Sequence, residues 1–467
     1  MDTSTRLPRP SLKALSARRW LWIAFASAIA CVSTAYPANA QDPARPLTVA
    51  EAVRIAERRS PVYRQVLNDP DVASAGVREA SAAYLPRLFA GLNFGGNSAR
   101  RVTATDPFGN AVRLDDPITF RSSSAAQSIG LDYTFFDGGA RERRLSAARF
   151  DLRAAEARAD AARVLLRGEV ARRYYQALGA GRQIALEEQL LASAREQLAA
   201  TERLFGVAGA SRVDVLGGQA DVATREGALD RARGEASKRM LELREALGVE
   251  DDVAFVLADS LPTVSELAGV NADSLVALAL RASPRLAALD AVAEAQGRLA
   301  RAARGARWPA LSANASFGRY LSDRNYDALF DLNPRDQSLS FGFNASIPIF
   351  DRFQTSGSVA RADAATADAR EELRAGRLGI AREVRSAAID LENTNRRIQL
   401  AERAAALSRE RVELAREQYR AGAIRFPELQ QVLDRDASSS RDVIDARVAL
   451  AVARATLEEK VGSSTAP

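Results

Sequence analysis

The chain contains two copies of one pattern of motifs, and this duplication restricts its fold more than any other feature. Ser60-Pro61 recurs as Ser283-Pro284, 223 residues later. Phe135-Phe136-Asp137 recurs as Ile349-Phe350-Asp351, 214 residues later. The first half therefore carries about nine extra residues between these motifs. Each copy has about 210 to 220 residues, so the copies are duplicated modules and not short solenoid units.

Each half contains two stretches in which apolar and polar residues alternate. The clearest stretches are residues 128–135 and 338–349, and weaker ones lie at 88–94 and 311–317. The apolar face of the clear stretches includes Ile129, Leu131, Tyr133, Phe341, Phe343 and Ile347. The other face is mostly Ser, Gly and Asn. Such alternation predicts strands with one apolar and one wet face, as in a membrane barrel. Four half-buried strands of a soluble sheet are the alternative.

Heptad spacing of apolar and small residues predicts long helices after each strand pair. These helices run roughly over 138–204 and 352–420, so each reaches about 100 Å at 1.5 Å per residue. Each is followed by a Gly-containing turn and a returning helix, near 211–247 and 426–460. The sequence therefore predicts two long α-hairpins, each joined to a β-hairpin.

The first 40 residues have the features of a secretory signal. Basic residues precede the apolar segment Trp20 to Val32, and Ala38-Asn39-Ala40 offers a cleavage site before Gln41. An apolar segment of this length is too short to cross a bilayer. Acylation of Cys31 is the alternative to cleavage after Ala40.

Composition excludes several classes of function. The only Cys is Cys31 and the chain has no His, which excludes His-based catalysis and disulfides in the exported chain. No Gly-x-Ser-x-Gly motif and no metal-ligand cluster is present, so we expect no enzyme, no cofactor and no metal. The formal charge of +6 lies largely in the signal, which does not fit a nucleic-acid binder.

Strand number points to an assembly of several chains. Four strands are too few to close a membrane barrel, for which about eight are the minimum. An open sheet edge in lipid would leave backbone groups unpaired. Two chains would give eight strands, and three would give twelve with room for a lumen.

The duplicated order of helix, two strands, long helix, turn and helix resembles the TolC-like outer membrane efflux proteins. Tyr84-Leu85-Pro86 is similar to that family's entry into the first strand. Tyr419-Arg420-Ala421-Gly422, followed by Glu428-Leu429, resembles its hairpin-tip motif, and the segment from Phe205 to Leu216 is the sister copy. The resemblance covers nearly all of residues 45–461.

The resemblance implies a mainly α fold with membrane β-strands. It implies a homotrimer in which a twelve-stranded β-barrel continues into a periplasmic α-helical barrel. It also implies a channel in the outer membrane that docks to a periplasmic adaptor and an inner-membrane pump for efflux or type I secretion. A periplasmic adaptor protein is the alternative, although adaptors normally carry one hairpin and β-rich domains.

The resemblance also implies roles for residues at the hairpin tips. Asp214 and Glu428 would line the periplasmic entrance, and Tyr419 would help to hold it shut. Arg425 neighbours the position of a second closing residue, which here is Ile424. The expected adaptor contacts are Gly209, Ser211, Gly422 and Ala423. For the two acids, a solvated helix-start carboxylate is the alternative.

These predictions divide the chain into five segments. Residues 1–40 are the signal peptide, 41–248 the first repeat and 249–270 an equatorial segment between the repeats. Residues 271–461 are the second repeat and 462–467 a flexible C-terminus.

Overall fold

The computed structural model describes residues 45–207, 209–250, 255–263, 271–324 and 330–462. The predicted signal peptide, half of the segment between the repeats and residues 463–467 lie outside the described residues. Of the described residues, nearly all from Pro46 to Gly462 belong to one compact unit, and Arg45, Phe255 and Val256 belong to a second, small unit. The short strands β1 (Arg45–Leu47) and β4 (Phe255–Leu257) pair with each other.

The first repeat begins with three short helices and ends with a long helical hairpin. Thr48 caps the first helix, because its Oγ1 accepts from the Glu51 N–H at 3.3 Å. Pro61 and Asp69-Pro70 start the next two helices, since Pro fits the first helical turn. The elements are α1 (Val49–Arg59), α2 (Pro61–Val66), α3 (Asp69–Ala82), β2 (Arg87–Thr105), β3 (Ala111–Asp137), α4 (Ala140–Gly206) and α5 (Arg212–Leu247).

The second repeat has the same order with one fewer helix. Its elements are α6 (Ala272–Ala282), α7 (Pro284–Gly305), β5 (Ala310–Asp323), β6 (Asp336–Ser346), α8 (Gln354–Arg420) and α9 (Phe426–Val461). The ends of α8 and α9 each lie 214 residues after those of α4 and α5. The predicted duplicated α-hairpin and β-hairpin architecture is therefore confirmed. Of the helices in the described residues, none combines the length and apolarity needed to cross a lipid bilayer.

Four strands form one antiparallel sheet in the order β2-β3-β5-β6. Ile129 pairs with Phe317, which pairs with Leu339, so all three lie on one face. Ser316 and Ser340 share the other face, and their hydroxyls are 2.8 Å apart. Within one chain the sheet is open, with β2 and β6 as its edges.

Two details of the strand prediction are wrong. β6 ends at Ser346, so Ile347 lies just outside the strand where it was predicted. Pro348 explains this end, because Pro has no N–H for a strand ladder. The first β-hairpin is also much longer than predicted: β2 and β3 have 19 and 27 residues. Residues 98–101 still pair with residues 118–121, although Arg100-Arg101 breaks the alternation of β2.

The hairpin helices pack side by side in one chain. α5 packs on α4, α4 also contacts α9, and α9 packs on α8. α7 lies against both long helices. The main core joins α8 and α9 through buried residues such as Val384, Ile398 and Leu450. This order places α5 and α8 at the two edges of the helical layer.

Candidate functional site

The first hairpin tip joins α4 to α5 in a short turn. The Gly209 N–H donates to the Leu204 carbonyl at 2.8 Å, which closes the end of α4. Ser211 then begins α5, and its Oγ accepts from the Asp214 N–H at 3.2 Å. Ala208 lies outside the described residues.

Asp214 is held by the start of its own helix. One of its carboxylate oxygens accepts from the Ser211 N–H and the Ser211 hydroxyl, both at 2.8 Å. This reciprocal pattern is a capping box. The half-buried carboxylate therefore serves the start of α5, whether or not it also faces a pore.

The second hairpin tip is built differently. Gly422 adopts a left-handed φ of 73°, and the Ala423 N–H donates to the Gln418 carbonyl at 2.8 Å, which ends α8. Arg425 occupies the cap position of α9 without a side-chain cap bond, and Pro427 fits the first turn. Glu428 is exposed, and its carboxylate makes no hydrogen bond or ion pair with any described residue. Of the two predicted entrance acids, only Glu428 is free.

Tyr419 packs inside the second hairpin. Its ring lies edge-on to Phe426, with 6.0 Å between centroids. Its hydroxyl is buried without a hydrogen-bond partner. The side chain also borders a cavity of about 320 Å³ between the hairpins, beside Arg203 of α4 and Arg416 and Arg420 of α8. Tyr419 therefore packs within the second hairpin, and its hydroxyl makes no hydrogen bond to Asp214 or Glu428.

Ion pairs join the two repeats above the tips. Arg441 of α9 donates to buried Glu187 of α4 at 2.6 and 3.1 Å, and this carboxylate raises the pKa of Arg441. Buried Arg225 of α5 contacts Asp221 and, on α9, Asp434. The sequence did not indicate the pairs of Glu187 with Arg441 and of Arg225 with Asp434, because these partners lie in different repeats and follow no helical spacing.

A tyrosine ties the segment between the repeats to α4. The hydroxyl of buried Tyr174 donates to the Leu47 carbonyl at 2.7 Å and accepts from the Asp259 N–H at 3.2 Å. Burial raises the pKa of Tyr174 to about 12. In the sequence, this position is marked only by two adjacent tyrosines, Tyr174 and Tyr175, within an Ala-rich helix.

The apolar residues predicted to face lipid are exposed on the sheet. Phe341 and Phe343 are 79% and 82% exposed, and Ile129 and Leu131 are less so. Tyr133 is half-buried, and its ring packs edge-on against Phe135. Large exposed apolar groups need a covering medium or partner. No group of three or more His, Cys, Asp or Glu in the described ranges could hold a metal ion.

A family model described as "outer membrane efflux protein" matches residues 53–249 and 275–463. The two matched ranges correspond to the two repeats. Among curated proteins, none matches the chain in sequence.

Solved structures share the fold of this chain. A membrane protein from Pseudomonas aeruginosa has a TM-score of 0.72 at 22% identity, over 88% of this chain and 93% of that one. VceC from Vibrio cholerae has a TM-score of 0.71 at 17% identity, over 89% and 96% of the two chains. The open state of the MtrE channel from Neisseria gonorrhoeae has a TM-score of 0.69 at 17% identity, over 89% of both chains.

Proposed function

The chain belongs to the outer membrane efflux protein family, and from that premise we propose that three copies form one channel that carries substrates out of the periplasm. Its place is the outer membrane, with the long helices extending into the periplasm. Family and fold are those of channels and not of adaptors or enzymes.

The proposal is based on the edges of the sheet and of the helical layer. In each layer the two edges are unpaired within the chain and differ from each other. The sheet ends in β2 from the first repeat and β6 from the second. The helical layer ends in α5 from the first repeat and α8 from the second. Head-to-tail contact between unlike edges closes a ring when the rotation allows it. Three copies would pool twelve strands around a lumen.

The faces of the sheet support this arrangement. We assign the exposed apolar face to lipid, through Ile129, Leu131, Tyr133, Phe341 and Phe343, with Ile347 just past the strand. The opposite face carries Ser and Asn, which suit a water-filled lumen. Gly130 on that face makes room for the Phe89 ring.

The hairpin tips are the proposed contact with the rest of an efflux system. Gly209, Ser211, Gly422 and Ala423 lie at the two turns and would meet a periplasmic adaptor. An inner-membrane pump would deliver the substrate, and passage through the channel itself would be passive. The separation of the tips from the sheet by helices of 67 residues supports this division of roles.

The proposed entrance comprises Asp214, Glu428, Tyr419 and Arg425. Three chains would bring six carboxylates around one opening, which attracts cations. Asp214 is bound in its capping box, whereas Glu428 is free and exposed. We therefore expect Glu428 to contribute more than Asp214 to the negative electrostatic potential at the entrance. Tyr419 would help to hold the entrance shut by packing α8 against α9 in the second hairpin.

Planar-bilayer recording tests the proposal. Asp214→Asn with Glu428→Gln keeps side-chain size and removes charge, so cation selectivity and block by divalent cations should weaken at unchanged trimer yield. Glu428→Gln alone should have a larger effect than Asp214→Asn alone. The control is Glu371→Gln, which removes an exposed acid of α8 far from the tip. Unchanged selectivity in a folded double variant rejects the entrance assignment, and no conductance from the unaltered protein rejects the channel.

A further inference from the structure

Two polar side chains interrupt the apolar face of the sheet. Gln127 of β3 pairs with Arg319 of β5, and two residues closer to the helices Ile129 pairs with Phe317. Residues that pair, and residues two apart along a strand, lie on the same face, so Gln127 and Arg319 share the face of Ile129. A cationic side chain on a lipid-facing surface is destabilising. This row of the sheet therefore needs a cover.

The segment between β5 and β6 folds back over this row. The Gln127 side-chain amide donates to the Leu332 carbonyl at 2.6 Å. Nη2 of Arg319 donates to Oδ1 of Asn333 at 2.9 Å. We call residues 330–334 the strap. Its polar groups meet the two polar side chains of the sheet, and both of these side chains are half-buried.

The strap also packs on the next row of the sheet. Phe94 pairs with Ala125 on the apolar face, and the centroids of the Phe94 and Phe330 rings are 5.6 Å apart. Ala125 is fully buried, and so is Pro334 of the strap. The strap is therefore a packed layer on the sheet and not a loop extended into solvent.

The side chains that the strap leaves exposed include two large apolar ones. Phe330 and Leu332 are each 70% exposed. By contrast, the Asp331 carboxylate accepts from the Asn333 N–H at 2.7 Å within the strap. Phe330 has a left-handed φ of 67°, which a bulky residue adopts only where its surroundings require it. The strap therefore presents large apolar groups that need a covering medium.

The position of the strap along the strand identifies this medium. Arg319 lies nine residues after Ala310, the first residue of β5. At about 3.3 Å per residue and a tilt of about 40°, this distance is about 23 Å along the axis of the proposed twelve-stranded assembly, close to the apolar height of about 25 Å in membrane barrels. Lipid hydrocarbon does not tolerate exposed irregular backbone, whereas the head-group boundary does and is rich in aromatic side chains. The strap therefore lies at the outer boundary of the bilayer.

We propose that the strap is a membrane contact. Phe330 and Leu332 enter the boundary between the lipid head groups and the acyl chains, and the strap shields Gln127 and Arg319 from lipid. Lipid is the partner because the exposed side of the strap continues the apolar face that contains Ile129. The inference rests on the proposed assignment of this face to lipid.

A tryptophan placed in the strap tests this contact. The exported chain has one Trp if cleavage follows Ala40, because two of the three Trp residues precede that site. In a Trp308→Phe background, Phe330→Trp therefore reports on the strap alone. In phosphatidylcholine vesicles its fluorescence should be quenched strongly by lipids brominated near the head groups. Lipids brominated at the bilayer centre should quench it less, and iodide in the water should quench it little.

Two matched variants separate this inference from the proposed channel. Phe343→Trp, on the sheet face itself, should be quenched by brominated lipid, and Phe108→Trp, 89% exposed in the turn between β2 and β3, should be quenched only by iodide. Iodide quenching of Phe330→Trp beside bromine quenching of Phe343→Trp overturns the inference and leaves the channel. Protection of Phe330→Trp from both quenchers assigns the strap to a protein contact and also overturns the inference. If brominated lipid does not quench Phe343→Trp, the lipid-facing assignment and the channel both fail.

A second pair of variants tests how the strap is held. Gln127 and Gln337 both pair with Arg319 on the apolar face. Gln127 donates to the strap, whereas the side chain of Gln337 makes no hydrogen bond with a residue that the structure describes. Gln127→Leu should therefore increase iodide quenching of the Phe330→Trp reporter, and Gln337→Leu should leave it unchanged. Equal quenching in both variants would contradict the role of Gln127 in holding the strap over the sheet.

Discussion

The two repeats share their helices and differ at their ends. α4 and α8 both have 67 residues, and α5 and α9 both have 36. At the sheet, the first β-hairpin extends well past the second. At the tips, Asp214 is bound in a capping box and Glu428 is free. The helices of the two hairpins have equal lengths because both hairpins extend from the sheet to the tips. The β-hairpins and the tip turns are constrained only by local contacts, so they differ between the repeats.

The largest effect is expected in a test of whether both repeats contribute to one lipid-facing surface. Leu131→Arg in the first repeat and Phe343→Arg in the second should each cost about 2–4 kcal/mol near the bilayer midplane and reduce the yield of trimer. Ser340→Arg, on the opposite face, should assemble normally. Heat-modified electrophoretic mobility in detergent measures the yield. Equal tolerance on both faces would reject the assignment, and damage from only one of the two arginines would separate the repeats.

A second test compares a buried ion pair between the repeats with an exposed ion pair inside one helix. Arg441→Leu leaves buried Glu187 without its cation, which should cost about 3 kcal/mol of local stability. Hydrogen exchange of α4 and α9 measures this loss. Arg454→Leu removes an exposed pair within α9 and should cost about 0.5 kcal/mol or less. Similar exchange in both variants would mean that the buried pair does not hold the repeats together.

The tips offer a smaller contrast. Ser211→Ala removes the side-chain cap of α5 and should cost about 1 kcal/mol. Arg425→Ala at the matching position should cost less than about 0.5 kcal/mol, because that side chain makes no cap bond. Hydrogen exchange of the backbone amides in the first turns of α5 and α9 measures the loss of stability in each variant. Comparable losses would contradict the difference between the tips.

The smallest effect is the response of the first helices to acid. Arg163 and Arg167 hold the pKa of Glu57 below its usual 4.5. The ion pair therefore stabilises the packing of α1 on α4 fully above that value, and its contribution is lost as pH falls through the folded-state pKa. α1 should open more between pH 6 and pH 3.5 than α6 does, by hydrogen–deuterium exchange. Glu57→Gln should abolish the difference, and its persistence would assign the acid response elsewhere.

The parts that the sequence predicted are those fixed by repetition. The returning helices expected near 211–247 and 426–460 begin at Arg212 and Phe426, because both turns carry the same motif at the same offset. The extension of β2 and β3 was missed because Arg100-Arg101 and Asp115-Asp116 break the alternation. Most of this ribbon is exposed on both faces, so no continuous alternation marks it.

The tip residues were located correctly in the chain, but their environments were not predictable. Capping of Asp214 depends on Ser211, and the free state of Glu428 depends on the absence of a partner nearby. The pair of Glu187 and Arg441 requires two helices from different repeats to lie at one height. These are properties of packing, which spacing along one helix does not contain.

The junction between sheet and helix has a mechanical consequence. Gly138 and Gly139 are both left-handed, and a Cβ at Gly138 would lie 2.1 Å from the Gly305 carbonyl oxygen. Arg352 and Phe353 take the same conformation in the second repeat, and Asp137 and Asp351 cap the helices that follow. In the second repeat residues 347–353 separate β6 from α8. In the first repeat only Gly138 and Gly139 separate β3 from α4, so α4 acts as a lever about 100 Å long. A rotation of about one degree at this pivot would move the tip by about 1.7 Å, so small torques at the sheet become ångström-scale displacements at the far end.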